Sequence, residues 1–229
     1  RMSLKPKPPV RAVFFDCDGT LIDTVPMVVG TKQHALKMIG RELPPIEDLI
    51  STIGLPIDED IKAYNLGDDA DRYFKYYRAF QREIGDRQLG VFVEAYYMLQ
   101  ALWVRGIKLG MVTSRRRVST LHLLEMFDLD KYFSVMVNPG DTVRSKPFGD
   151  PLLEAMHRLN KGGMLEKDLR PEECVYIGDA HHDIECANDA GMRAVLVEWT
   201  RMPQSVLEGL DFETTLSNHK QLLQDLELY

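Results

Sequence analysis

The sequence predicts an α/β fold with a doubly wound, mainly parallel sheet and a helical segment inserted after the first strand. Two observations carry this prediction. Short apolar runs rich in Val, Ile, Phe and Tyr alternate with segments whose apolar residues recur at helical spacing, which is typical of βαβ units in a parallel sheet. This alternation is interrupted once, between about residues 24 and 91, where we find no convincing strand.

Five of the apolar runs are expected to be strands that are buried on both faces. They are RAVFFD (11–16), IKLGMVTS (107–114), YFSVMVN (132–138), CVYIGD (174–179) and RAVLVEW (193–199). Three helices are expected between the later strands, namely VSTLHLLEMF (118–127), DPLLEAMHRLN (150–160) and DIECANDAG (183–191). The last of these segments ends in glycine, a common residue at helix ends.

The interrupting segment is expected to be helical. MVVGTKQHALKMI (27–39) and DADRYFKYYRAFQREIG (69–85) read as amphipathic helices, and the second places its apolar residues on one stripe. We therefore predict three parts of the chain by their bounds: a disordered tail at 1–9, an α/β core at 10–23 and 92–229, and a helical cap at 24–91.

Length and composition exclude several classes of protein. The chain has 229 residues, which is enough for a large core, and its three cysteines show no zinc-like spacing and no disulfide framework. A formal net charge of −7 disfavours a protein that tracks nucleic acid. The sequence has no apolar run of membrane-spanning length and no signal-peptide pattern. We therefore expect a cytoplasmic protein that binds neither nucleic acid nor membrane, and we leave its oligomeric state open.

The motif DCDGT follows the first predicted strand and carries two carboxylates. Residues two apart in an extended strand point to the same side, so Asp16 and Asp18 can both address the crevice at the end of the sheet, where open α/β folds bind ligands. Two carboxylates this close repel each other unless a cation joins them or one is protonated. Gly19 permits a tight turn, and Thr20 and its neighbours could hold an anion. A pair of acids that only caps a turn is the less favoured alternative.

Three further strand ends supply matching chemistry. Thr113 and Ser114 follow the second predicted strand, where a hydroxyl can donate to a phosphate oxygen, although such residues also commonly begin helices. Lys146 lies in a loop before a proline, and alone it would be interpreted as a solvated charge. Asp179 directly follows a buried strand, and Asp183 comes four residues later. Their hard oxygen atoms suit Mg²⁺.

These motifs resemble those of the haloacid dehalogenase-like hydrolases. They occur in the same order, as DCDGT, the apolar run that ends in Thr113, Lys146 followed by proline, and GDAHHD (178–183). The chain resembles in particular the phosphatase branch with an α-helical cap after the first strand, of the phosphoglycolate phosphatase and β-phosphoglucomutase type. The resemblance implies a Rossmann-like core. It also disfavours dehalogenation, because dehalogenase relatives lack an acid at the position of Asp18.

The resemblance further implies a phosphoric monoester hydrolase acting on a small phosphorylated metabolite, such as phosphoglycolate or a sugar phosphate. Asp16 would be the nucleophile that forms an aspartyl-phosphate, and Asp18 would act first as acid and then as base. Lys146 would balance the charge of the transferring group. The candidates for binding the phosphoryl group are Thr113, Ser114, Gly19 and Thr20.

The cofactor implied by the resemblance is Mg²⁺. Its ligands would be Asp16, the backbone carbonyl of Asp18, and Asp179, with Asp183 bound directly or through water. Such an ion would let an anionic carboxylate approach an anionic phosphate.

Three alternatives stay open at this stage. A phosphomutase would use the same groups and return the phosphoryl group to a bound intermediate. A non-enzymatic phosphoacceptor domain also combines acids, a hydroxyl and a lysine, but such domains lack an insertion of about seventy residues and carry their acid pair in adjacent positions. A capped protein whose main role is to bind a partner would not need intact acidic, hydroxyl and lysine positions.

Some conspicuous residues are given ordinary interpretations. Cys17 is expected to point away from the two aspartates and into the core. His181 and His182 are interpreted as loop histidines more readily than as metal ligands. The arginines at 115–117 are too few to indicate nucleic-acid binding, although one of them could touch substrate.

Overall fold

The structure, a computed structural model, describes residues 7–53, 55, 57–84 and 89–228. Its centre is one parallel sheet of six strands. The strands are β1 (Ala12–Phe15), β2 (Lys108–Val112), β3 (Val135–Val137), β4 (Cys174–Gly178), β5 (Arg193–Val197) and β6 (Thr214–Leu216). Their order across the sheet is β3-β2-β1-β4-β5-β6.

This strand order makes the sheet doubly wound, because the chain moves outward from β1 in one direction and then returns to build the other half. The predicted fold class is confirmed, and each of the five predicted strands is present with its ends trimmed by a few residues. The sixth strand was missed. It has only three residues in a polar stretch, and it is identified by its pairing with β5 alone.

Helices cover both faces of the sheet and fill the segment between β1 and β2. The α-helices of the described residues are α1 (Val25–Met38), α2 (Ile46–Ser51), α3 (Glu59–Ala63), α4 (Ala70–Ile84), α5 (Val93–Val104), α6 (Arg117–Met126), α7 (Asp150–Lys161), α8 (His181–Asp189), α9 (Gln204–Leu207) and α10 (His219–Asp225). The predicted helices correspond to α1, α4, α6, α7 and α8 with shifts of up to two residues at their ends. Gly85, the last residue of one prediction, lies outside the described residues.

Alternate residues of β1 face opposite sides of the sheet, as the two-residue period of a strand requires. Val13 and Phe15 are buried in a cluster with α5, α6 and α10. Ala12 and Phe14 are buried in a second cluster with α7 and α8. A strand that must be apolar on both faces has no polar position until it ends, and this explains why the first polar side chain after β1 is Asp16.

The segment between β1 and β2 has a hydrophobic cluster of its own. Its fully buried members include Leu36 of α1, Leu49 of α2 and Tyr73 of α4. The apolar stripe predicted on α4 is the face that packs inward, with Tyr73 and Tyr77 buried. Helices α1 and α4 thus pack together away from the sheet.

A buried ion pair crosses this helical cluster. The ammonium of Lys32 lies 3.0 Å from Oδ1 of Asp60, and both side chains are about 3% exposed. Lys32 also donates to the carbonyl of Leu49 and the hydroxyl of Thr52, and Asp60 accepts hydrogen bonds from Thr52 and Tyr73. Every polar group of the pair has a partner, so the pair ties α1, α2, α3 and α4 to one another.

We expect Asp60→Ala to lower the free energy of unfolding by about 3 kcal/mol or more, because the substitution leaves the buried charge of Lys32 without its carboxylate. Urea denaturation followed by circular dichroism measures the change. Asp68→Ala, an exposed acid in the turn before α4, is the matched control and should change stability by less than about 0.5 kcal/mol. Equal stability of the two variants would show that the pair contributes nothing.

Two sequence expectations concern regions outside the core. Of the predicted disordered tail at 1–9, residues 1–6 lie outside the described residues, whereas Lys7 forms an ion pair with Glu213 at 3.0 Å. In the described part of the chain, none of the helices combines the length and apolar character that crossing a membrane requires.

Candidate active site

The carboxyl ends of three adjacent strands bring the candidate residues together. Asp16 follows β1, Thr113 follows β2 and Asp179 follows β4. Since β1 lies between β2 and β4 and pairs with each in parallel, the three chain segments leave the sheet side by side. This is the point at which the strand order reverses, where open α/β sheets bind ligands.

Three carboxylates form a buried cluster at this edge. Asp16, Asp179 and Asp183 each offer an oxygen atom within 4.8 Å of the other two. Each side chain is less than 10% exposed. Oδ2 of Asp16 is buried and has no hydrogen-bond partner among the described residues. The cluster therefore offers hard oxygen ligands and an unpartnered oxygen, and this donor set fits Mg²⁺.

Lys146 supplies the positive charge within the cluster. Its ammonium donates to Oδ1 of Asp16 at 2.9 Å and to Oδ1 of Asp183 at 2.7 Å, and the three side chains are almost completely buried. Burial raises the pKa of Asp16 to about 7, even though Lys146 opposes the change. Burial also raises the pKa of Asp179, and the charges of Asp183 and Asp16 add to this effect. The single positive charge of Lys146 therefore does not balance the negative charge of three ionised carboxylates.

The backbone at the end of β4 fixes Asp183. Its Oδ2 accepts hydrogen bonds from the backbone N–H groups of Asp179 at 3.2 Å and Ala180 at 3.1 Å. A Cβ atom at Gly178 would lie 2.3 Å from Cβ of Asp183, so only glycine fits there. Burial opposes ionisation of Asp183, but Lys146 outweighs it and the net pKa is lowered. Asp183 is therefore held as an anion in one orientation.

Asp18 lies apart from the acid cluster because its carboxylate binds Arg115. Nε of Arg115 is 2.9 Å from Oδ2 of Asp18, and one Nη atom is 2.5 Å from Oδ1. Burial alone would raise the pKa of Asp18, but the charge and hydrogen bonds of Arg115 outweigh burial and lower it. The two acids of the DCDGT motif thus differ sharply: the pKa of Asp16 is raised and that of Asp18 is lowered.

A cavity of about 370 Å³ lies between this edge of the sheet and the helices inserted after β1. Asp18, Ser114 and Arg115 line it from the sheet side, and Lys32 and Tyr77 line it from the helical side. Its size suits a small molecule.

Comparison with known families decides the affiliation of the chain. The family described as haloacid dehalogenase-like hydrolase matches residues 13–197, which is more than half of the sequence. The chain belongs to this family. The predicted resemblance is confirmed, and the protein is a haloacid dehalogenase-like hydrolase.

Individual relatives agree with this affiliation over nearly the whole chain. A protein of Caldanaerobacter subterraneus subsp. tengcongensis named "Putative pyrophosphatase PpaX" is 34% identical over 216 residues, covering 94% of each chain. Pyrophosphatase PpaX of Bacillus mycoides is 29% identical, covering 93% of this chain and 95% of the relative.

Solved structures show the same fold. A predicted phosphoglycolate phosphatase from Haemophilus somnus aligns with a TM-score of 0.76 and 21% identity, covering 96% of this chain and 99% of that one. A hydrolase from Pseudomonas syringae aligns with a TM-score of 0.78 and 22% identity, covering 95% and 98%.

Gly19 and Thr20, two of the residues predicted to bind phosphate, have hydrogen-bond partners within the protein. The hydroxyl of Thr20 donates to Oδ1 of Asp179 at 3.1 Å. The backbone N–H of Thr20 donates to the carbonyl of Cys17, and that of Gly19 donates to the carbonyl of Ile22. The loop thus uses these donors to close its own turn and to hold Asp179, and phosphate binding by Gly19 and Thr20 stays a prediction.

Gly19 is required by close approach. It has a φ of +77°, and a Cβ atom there would lie 2.5 Å from Oδ2 of Asp179. A larger residue would be strained and would displace that carboxylate.

The hydroxyl candidates after β2 have geometry that leaves them free to donate. Oγ1 of Thr113 is buried and accepts the backbone N–H of Arg115 at 3.1 Å, so its own proton is available to another acceptor. Ser114 is partly exposed and lines the cavity. Their predicted phosphate-binding role stays a prediction, as does the metal ligation predicted for the backbone carbonyl of Asp18.

Two features of the candidate active site were not predicted from the sequence. The first is the pairing of Asp18 with Arg115. Each residue follows its strand by only three positions and β1 lies next to β2, so the parallel pairing itself was a usable signal. The second is the loop after β5, in which Trp199 donates to the carbonyl of Gly19 at 3.1 Å and Thr200 donates to the carbonyl of Asp179. No sequence motif indicated that this loop would contact the site.

Cys17, His181 and His182 lie near the acid cluster, and none of them was assigned a role in it from the sequence. Cys17 is fully buried in the core cluster on one face of the sheet, as expected. His181 and His182 begin α8 and stay outside the group of carboxylates that could hold a metal. Burial lowers the pKa of His182 to about 4, so this side chain is neutral near pH 7.

Proposed function

We propose that this hydrolase is a Mg²⁺-dependent phosphatase that transfers the phosphoryl group of a small phosphorylated metabolite to Asp16 and then to water. The observation that carries the proposal is the buried cluster of Asp16, Asp179 and Asp183 with Lys146, in which Oδ2 of Asp16 has no partner. This oxygen is the atom from which attack on phosphorus would start.

In the first step, Oδ2 of Asp16 forms a bond to phosphorus and the bond to the leaving oxygen breaks. Asp18 is an anion while it pairs with Arg115; once released it takes a proton from solvent and gives that proton to the leaving oxygen. In the second step, Asp18 takes a proton from water, whose oxygen attacks phosphorus and releases phosphate, so that Asp16 is restored. Lys146 and the hydroxyl of Thr113 would hold the phosphoryl oxygens in line during both steps.

Mg²⁺ would be held by Asp16 and Asp179, with Asp183 nearby, and when bound it would neutralise charge on the phosphoryl oxygens. Lys146 and Mg²⁺ would both supply positive charge to the cluster. Without a second cation the cluster carries three carboxylates against one ammonium, and an incoming phosphate would add further negative charge.

We also propose that residues 24–91 form a cap that closes over residues 10–23 and 92–229. Two backbone hydrogen bonds join the chain segments that connect these parts: Asp23 N–H to the carbonyl of Gly90 at 2.8 Å, and Phe92 N–H to the carbonyl of Leu21 at 3.0 Å. Closure about these segments would exclude water from the cavity.

A diphosphate is a second candidate substrate. Two relatives at 34% and 29% identity carry the name pyrophosphatase, and inorganic pyrophosphate offers the same phosphorus and leaving-oxygen geometry as a phosphate ester. Asp16 and Lys146 would act on it in the same way.

Phosphate release tests the proposal. The panel should contain 2-phosphoglycolate, sugar phosphates, pyrophosphate and p-nitrophenyl phosphate, each assayed with Mg²⁺, with a chelator, and after Mg²⁺ is added back. We expect turnover that the chelator reduces by at least about 100-fold and that added Mg²⁺ restores. Turnover that is insensitive to the chelator would exclude the metal-dependent mechanism, and no release from any compound by the folded protein would exclude the phosphatase.

A further inference from the structure

Both oxygens of the Asp18 carboxylate are occupied by one guanidinium. Nε of Arg115 reaches Oδ1 at 3.2 Å and Oδ2 at 2.9 Å, and the Nη contact to Oδ1 measures 2.5 Å. Both side chains are about 10% exposed. These contacts orient the carboxylate of Asp18 toward Arg115, so the pair has to open for Asp18 to turn to the leaving oxygen of a substrate.

The backbone of Arg115 is fixed, and its side chain alone can make this change. Its N–H donates to Thr113, and its carbonyl accepts the side-chain amide of Asn138 at 2.9 Å. The guanidinium beyond them lines the cavity, where its other nitrogen donates to Oγ of Ser119 at 2.6 Å. Arg115 therefore stands between the candidate phosphoryl site and the space for the rest of a substrate.

Lys32, a buried cation that also lines the cavity, is already paired. Its ammonium donates hydrogen bonds to the carbonyl of Leu49, the hydroxyl of Thr52 and the carboxylate of Asp60. Arg115 differs because the proposed reaction requires its carboxylate partner, Asp18, to be released from it. A guanidinium binds carboxylate and phosphate in the same forked geometry, so an anion on the substrate can replace the carboxylate of Asp18.

We propose that Arg115 exchanges Asp18 for a second anionic group on the substrate, a carboxylate or phosphate carried by the leaving group, and so selects substrates with two anionic ends. The inference rests on the proposed phosphatase function and narrows its substrate class. Phosphoglycolate and pyrophosphate have such a second anion, whereas a phosphate ester of a neutral sugar does not. Arg115 is then a specificity-determining residue that also releases Asp18 when the correct substrate is bound.

A matched pair of substrates tests the proposal, namely 2-phosphoglycolate and its amide, which differ in a single charged group. We expect the wild-type protein to favour the carboxylate by at least about tenfold in kcat/KM, because the hydrogen bonds of a charged pair are lost with the amide. In Arg115→Gln the ratio should fall to within about threefold of unity, chiefly through a higher KM for 2-phosphoglycolate. Arg117→Gln, which removes an exposed charge that pairs with Asp141, should keep the wild-type ratio.

Calorimetric titration of the same two compounds into Asp16→Asn protein, with Mg²⁺ present, provides a readout without turnover because the proposed nucleophile is absent. We expect this protein to bind 2-phosphoglycolate more tightly than the amide, and the double variant with Arg115→Gln to bind the two alike. Equal binding of both compounds by Asp16→Asn protein, or an equal loss of both in the double variant, would overturn the role of Arg115. If no compound of the wider panel is hydrolysed, the proposed function fails separately, and the titration still decides whether Arg115 recognises the anion.

Discussion

Asp16→Asn is expected to reduce kcat by at least about 10³-fold while the protein remains folded. The amide is nearly isosteric with the carboxylate but cannot form the mixed anhydride with phosphate. Burial raises the pKa of Asp16 to about 7, so the charged carboxylate is disfavoured in this site and a neutral amide is tolerated. Lys146 keeps Asp183 as a partner in the variant. Phosphate release with the best substrate of the panel measures the loss, and thermal denaturation verifies the fold.

A covalent readout sharpens this prediction. Wild-type protein quenched in acid during turnover should carry one phosphoryl group on the peptide that contains Asp16, and the variant should carry none. Asp130→Asn, an exposed acid in the turn before β3, is the matched control and should keep activity within about twofold of wild type. A variant at Asp16 that retains more than about a tenth of wild-type turnover, or a phosphoryl group found on another residue, would contradict the assignment of the nucleophile.

Lys146→Met is expected to have the second largest effect, because it removes the ammonium that both Asp16 and Asp183 contact. In metal-free protein the free energy of unfolding should fall by about 3 kcal/mol or more, since two buried carboxylates lose their shared partner. With Mg²⁺ present, kcat/KM should fall by about 100-fold or more, because the phosphoryl group loses a fixed positive charge. Urea denaturation and phosphate release measure the two effects.

Magnesium should restore part of the stability of Lys146→Met and should stabilise this variant more than the wild type, because an ion bound by the same carboxylates replaces some of the lost charge. Lys161→Met at the exposed end of α7 is the control and should match the wild type in both assays. If the Lys146 variant is as stable as the wild type without metal and its turnover is within tenfold, the charge balance of the cluster has been misjudged.

Much of the fold follows from local sequence. A strand buried on both faces must be a continuous apolar run, and β1, β2, β4 and β5 were found for that reason. The spacing of apolar residues did not identify elements in which that spacing shows no regular pattern. Helix α5 was missed because it is apolar on most of its circumference, with Trp103 and Val104 exposed and Met98 and Leu99 buried. Strand β6 was missed because three residues are too few for any pattern.

The candidate site divides in the same way. Asp16, Thr113 and Asp179 were selected because each is a polar residue at the point where a buried strand ends, and the parallel sheet then brings these ends together. The hydrogen bonds that Gly19 and Thr20 make within the fold could not be predicted, because only the folded backbone shows which donors are already paired.

The sequence by itself determined the class of the sheet, the family, and the set of acids, hydroxyls and lysine that could perform phosphoryl transfer, because these depend on residue type at strand ends. Tertiary structure alone decided how the charges are shared. Lys146 binds Asp183 as well as Asp16, and Arg115 binds Asp18, although 97 or more residues separate Arg115 from Asp18 and Lys146 from Asp16. The energy of such pairs depends on distance and burial, and these quantities exist only once the chain is folded.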